Sequence, residues 1–178
     1  MDVSQLLTHE HVDFSIIPHP RTETTQHLAE EVHVSGDHVA KSVLLRAPPN
    51  FLLAVLPASY RIDLPRLRKQ LGVRELELAT ETEVSDKFPE CEVGALPPFG
   101  SQVGVPSVVD RSLTDKEQIV FDAGSHTQAV RMRYADFERI EQPQVLEFAL
   151  HFHKLLPGSG RPTAGHRPDD PATVARTR

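Results

Sequence analysis

A mid-chain run, Gly94-Ala95-Leu96-Pro97-Pro98-Phe99-Gly100, restricts the fold more than any other stretch. Its prolines fix φ and remove main-chain donors, while the glycine at each end permits backbone angles closed to other residues. The segment is therefore a shaped piece of backbone and not a tether. Pro97 and Pro98 offer only carbonyls; Ala95, Leu96 and Phe99 keep their N–H groups. Such a loop either grips a small polar ligand with main chain alone or rigidly connects two strands, and composition leaves both open.

Around it the chain reads as one α+β domain. Val3, Leu6 and Leu7 mark a short amphipathic helix, and Val12 to Ile17 is strand-like up to Pro18. Thr24 caps a helix through about Val32, with a single helical turn expected at Asp37 to Ala40. Lys41 to Ala47 and the almost wholly apolar Phe51 to Leu56 read as strands, the second covered on both faces. Asp63 caps a helix that Gly72 ends, and Thr80-Glu81-Thr82-Glu83 is a capping-box pattern that starts another. Val103 to Asp110, Gln118 to Asp122 and Gln128 to Arg133 read as strands, and Ala135 to Ile140 as closing helical turns. Early interleaving of helices and strands, with strands bunched late, predicts a mixed sheet. A last helix is expected over Val145 to Phe152, so the domain takes in residues 1–156. Pro157 to Arg178 has scarcely an apolar residue and is expected to be a disordered tail, 157–178.

Charge limits the partners. With 178 residues and a net charge of −6, the chain lacks the basic face of a broad nucleic-acid clamp, although contact with one nucleic-acid end is still allowed. The one cysteine, Cys91, excludes an internal disulfide framework and gives no zinc spacing. His151 and His153 point to different sides of a helix, and His9 with His11 fails the same test, so no metal is expected. No apolar run approaches membrane-spanning length, and the cytoplasm is the expected compartment.

Two further stretches carry polar groups in marked positions. Lys41 opens a strand that otherwise reads apolar; it is a snorkelling edge lysine or a fixed ammonium for a phosphate or ribose. Ser125 and His126 follow Gly124 in a turn between strands, where the histidine is solvated or lines a site. Arg131 and Arg133 share one face of a strand, as a solvated face or a small phosphate-contacting patch.

Taken in order, Val39-Ala40-Lys41-Ser42-Val43-Leu44-Leu45, the Gly94 to Gly100 loop and Ala123-Gly124-Ser125-His126 resemble the YbaK/prolyl-tRNA-synthetase-associated domain family over roughly residues 12–140. The resemblance implies a mixed, strongly curved β-sheet flanked by helices. It also implies an aminoacyl-tRNA deacylase that removes a small amino acid (alanine, serine, threonine or cysteine) from mischarged tRNA without a cofactor. Lys41, Gly94 and His126 are then the implied catalytic residues. Thr22, Thr24, Ala95, Leu96, Pro97, Pro98, Phe99, Gly100 and Ser125 are the implied substrate-binding residues. Thr22 and Thr24 stand where several relatives carry an aromatic residue, making that wall smaller and more polar. The implied partner is a tRNA acceptor end, with or without an aminoacyl-tRNA synthetase. An aminoacyl ester is already activated, so a positioned water and a stabilised oxyanion suffice and no triad is needed. The competing reading is a non-catalytic module that binds aminoacyl-adenosine ends or a synthetase.

Overall fold

The computed structural model describes residues 2–151. The chain opens with α1 (Val3–His9), whose first N–H groups are capped by the Asp2 carboxylate, and β1 (Phe14–Pro18). Then α2 (Thr25–Glu31) starts at Thr24, whose hydroxyl accepts the His27 N–H. Residues 36–38 form a hydrogen-bonded turn where a helical turn was expected, with Val39 N–H donating to Gly36.

The central hairpin pairs β2 (Ala40–Ala47) with β3 (Asn50–Pro57), closed by the Pro48-Pro49 turn. A short β4 (Tyr60–Ile62) leads into α3 (Leu64–Leu71), which Asp63 caps and Gly72 ends in the left-handed region. Next come β5 (Glu77–Leu78) and α4 (Glu81–Lys87), where Thr80 and Glu83 form the reciprocal capping box read from the sequence. Such a cap stabilises a short helix by about 1 kcal/mol.

After the proline loop a 3-10 turn (Gly100–Val103) precedes β6 (Ser107–Asp110), so the strand expected from Val103 starts four residues later. The hairpin β7 (Gln118–Ser125) and β8 (Gln128–Arg133) is followed by α5 (Tyr134–Glu141). The expected C-terminal helix is instead two strands, β9 (Gln144–Leu146) and β10 (Ala149–His151). Their main-chain groups find partners across the sheet: β9 pairs with β6 and β10 with β4, and the Asp110 carboxylate accepts the Phe148 and Ala149 N–H groups at 2.8 Å each. Apolar residues at helical spacing did not outweigh those partners. The expected tail, 157–178, lies outside the described residues.

Both strand orientations occur in the five-stranded sheet β5-β2-β3-β6-β9, where β3, β6 and β9 run parallel and the hairpin antiparallel. A three-stranded sheet, β1-β8-β7, faces it across the main core, in which Phe99 stacks edge-on against Phe121 and Phe137. The far side of the larger sheet is covered by α3, with Leu67 and Phe148 at its centre, and α2 covers the far side of the smaller one. The architecture is the mixed α+β class expected from the sequence.

Candidate active site

Between Lys41 and Leu44, β2 has no strand neighbour among the described residues on the side away from β3, because β5 pairs only with Leu45 and Arg46. The gap is a cleft of about 340 Å³. Its walls are Lys41 to Leu44, Thr24 and Thr25 at the start of α2, Leu78, Ala79 and Val84, and Gly94 and Leu96 of the proline loop. A larger depression of about 670 Å³ beside β10 mixes Arg66 and Arg111 with Asp110, Asp115 and Glu147, and the loop does not reach it.

The loop and the β7–β8 turn are bonded into one unit. Glu92 N–H donates to Gly124 O at 2.9 Å, and Gly124 N–H donates to Ala95 O at 3.1 Å. His126 is buried, and its Nε2 lies 2.9 Å from the Val93 carbonyl oxygen. A carbonyl only accepts, so Nε2 carries the proton and Nδ1 is the basic nitrogen. Gly94 has φ of +91°, and a Cβ built on it would lie 3.4 Å from the imidazole Cε1. Neither the Gly94 nor the Leu96 N–H donates to a main-chain acceptor among the described residues, and both residues line the cleft.

Lys41 has the opposite parity from Ser42 and Leu44. Its cross-strand partner Leu56 belongs to the α3 side of the sheet, whereas Val55, opposite Ser42, belongs to the main core. Its ammonium turns to the segment between β3 and β4, donating to the carbonyls of Ala58, at 3.4 Å, and Tyr60. Burial lowers its pKa to about 8. Lys41 and the loop thus border one cleft, with the lysine's charge held at its margin and not aimed at the loop.

The other expected site residues separate into two groups. Thr24, Gly94 and Leu96 line the cleft. Thr22 is buried behind the turn, donating its N–H to His126 O, and Ser125 lies 3.4 Å from the Thr127 hydroxyl. Ala95, Pro97, Pro98, Phe99 and Gly100 are the buried part of the loop itself. A Cβ at Gly100 would come within 2.5 Å of the Val105 carbonyl, so that glycine is required by a close backbone approach. Cys91 is half-buried, which pushes its thiol pKa up and away from nucleophile chemistry. No group of three or more His, Cys, Asp and Glu residues among the described residues could hold a metal.

Three polar residues were not singled out from the sequence. Thr25 and Ser42 line the cleft. Asp122, read only as the end of a strand, is buried, and burial raises its carboxyl pKa to about 7 against the opposing pull of His126. An aspartate inside an apolar strand was the available clue. Glu141 is buried too, accepting from the Ser101 N–H and from the Ser101 and Ser107 hydroxyls, which ties the end of α5 to the turn after the loop.

The mixed-sheet α+β domain holds its cleft between β2 and the proline loop, the frame of an aminoacyl-tRNA editing domain. The chain belongs to the aminoacyl-tRNA editing domain family, whose model matches residues 19–140. It is 30% identical over 148 residues to the Multifunctional Ser/Thr-tRNA deacylase ProXp-y of Escherichia coli (strain K12), covering 80% of this chain and 88% of the relative. A 105-residue match at 26% identity to the proline–tRNA ligase of Thermosipho africanus (strain TCF52B) covers 59% of this chain and 16% of that enzyme. Among solved structures, a candidate trans-editing enzyme for prolyl-tRNA synthetase superposes with a TM-score of 0.75 at 20% identity, over 84% of this chain and 95% of the other. The resemblance drawn from the three stretches holds. No described helix is long and apolar enough to cross a membrane.

Proposed function

We propose that the protein hydrolyses the ester of tRNA mischarged with a small amino acid, acting in trans, in the cleft between β2 and the proline loop. The observation that carries this reading is the pair of uncommitted N–H groups at Gly94 and Leu96 on a loop fixed by His126 and Gly124. Water attacks the ester carbonyl carbon, the oxygen gains negative charge, and the two N–H groups stabilise it. Collapse breaks the bond to the ribose oxygen, which takes the proton from the attacking water and leaves a free amino acid and an uncharged tRNA. The free vicinal hydroxyl of the terminal ribose orients the water and relays that proton, accepting it from the water while passing its own to the departing ribose oxygen.

Lys41 contributes a fixed positive charge at the cleft margin, drawing in the phosphate of the terminal nucleotide. Leu44, Val84 and Leu96 bound the space for the amino-acid side chain, so larger residues are rejected sterically. The acidic chain engages the acceptor end alone, and choice of tRNA falls to a few arginines or to a synthetase partner. The similarity to a ligase segment supports the second. Incubating the purified protein with alanyl-, seryl-, threonyl- and cysteinyl-tRNA tests the proposal. Release above the buffer rate for at least one is expected; none, with folded protein, overturns it.

A further inference from the structure

Ser42 stands out in the cleft. Its side chain leaves β2 on the same face as Leu44, opposite Val55, towards Val84 and Leu96. Its Oγ is buried, yet it has no hydrogen-bond partner among the described residues. Leu44, Val84 and Leu96 have no polar side-chain atoms to offer, and neither the Thr24 nor the Thr25 hydroxyl bonds to it. A hydroxyl kept from both water and protein partners lowers stability, and such groups are rare unless something else binds them. Ser42 as a residue is only half-buried and lines the cleft, so a change of χ1 well is the route by which its Oγ would meet a ligand there.

We infer that Ser42 recognises the side-chain hydroxyl of a seryl or threonyl group, making it the residue that favours hydroxylated substrates over alanyl ones. The inference rests on the deacylase reading above. An alanyl group in the same place would leave the Ser42 hydroxyl unpaired, as it is without substrate. A seryl hydroxyl would exchange its hydration for a bond in which either oxygen donates and the other accepts. An apolar pocket alone discriminates poorly between side chains that differ by one hydroxyl, so a polar contact is needed for the distinction.

The test measures kcat/KM of wild type and Ser42→Ala on seryl- and alanyl-tRNA sharing one tRNA body. The expected result is a fall for seryl-tRNA roughly tenfold larger than that for alanyl-tRNA, the size of one neutral hydrogen bond. Should Ser42→Ala lose its cooperative melt, Ser42→Cys keeps nearly the same volume with a much weaker hydrogen-bonding atom and is expected to give the same pattern. An unchanged seryl-to-alanyl ratio overturns the inference and leaves the deacylase reading standing. An equal loss on both substrates overturns it too, since Ser42 would then touch a part common to both. Wild type inactive on every charged tRNA overturns the deacylase reading, and the inference with it.

Discussion

The imidazole Nε2 of His126 sits 2.9 Å from the carbonyl oxygen of Val93, the residue just before Gly94. Through this bond a turn from the second half of the chain fixes where the proline loop presents its N–H groups. His126→Ala leaves the Val93 carbonyl without its donor, at a cost of about 1 kcal/mol. On the proposed mechanism, deacylation falls by roughly 10- to 100-fold, chiefly in kcat, because the proposed oxyanion donors lose their positions. Steady-state kinetics beside a thermal melt checks this, and full activity in a destabilised variant would contradict the positioning role.

Gly94 and Gly72 both have positive φ, but only Gly94 is at the cleft. Alanine at either position is strained by about 1–2 kcal/mol. Gly94→Ala is expected to lose activity roughly 100-fold, and Gly72→Ala to lose a similar amount of stability with activity intact. Comparing the two by urea denaturation and deacylation separates strain from chemistry. Parallel behaviour would remove Gly94 from the site.

Lys41 titrates near pH 8 because burial disfavours its charge. If the charged form acts, activity corrected for spontaneous hydrolysis should fall as pH rises through about 8. Lys41→Arg, which stays charged, should show no such fall in whatever activity it keeps. Lys41→Ala removes a desolvated charge along with its bonds to Ala58 and Tyr60, two effects of opposite sign on stability. Its melting temperature should therefore move little while activity drops by about 100-fold. A collapse of stability matching the loss of activity would make Lys41 a structural anchor.

Asp122 has a folded-state pKa near 7, above its unfolded value. Between those values the folded state holds the extra proton, so the Asp122 contribution to stability declines as pH rises from about 4 to 7. Asp122→Asn removes that decline. The variant should be more stable than wild type at pH 8, by at most about 4 kcal/mol, with the advantage shrinking towards pH 5. Melts across that range decide it, and a pH-independent difference would show that Asp122 stays ionised throughout.

Helix caps and the proline loop were legible in the sequence because they are local. Thr24, Asp63 and Thr80 each bond within a few residues of their own position. The class and family could be read because three short stretches, each weak alone, occur in order. The last strands could not be read, since β9 and β10 owe their form to β6, β4 and the Asp110 carboxylate far back in the chain. Nor could the direction of the Lys41 ammonium, which depends on strand parity and on two carbonyls 17 and 19 residues away. Ser42 escaped notice for a related reason: an orphaned hydroxyl is visible only once its neighbours are in place.

Because Asp110 holds the main chain of Phe148 and Ala149, a fragment cut at residue 140, where the family match stops, would keep that carboxylate and delete what it grips. It would also strip β4 of its neighbour, beside the carbonyls that anchor Lys41. Expression boundaries drawn from the family match would therefore yield a protein missing part of its own frame, and silence in an assay of that fragment would say nothing about the intact enzyme.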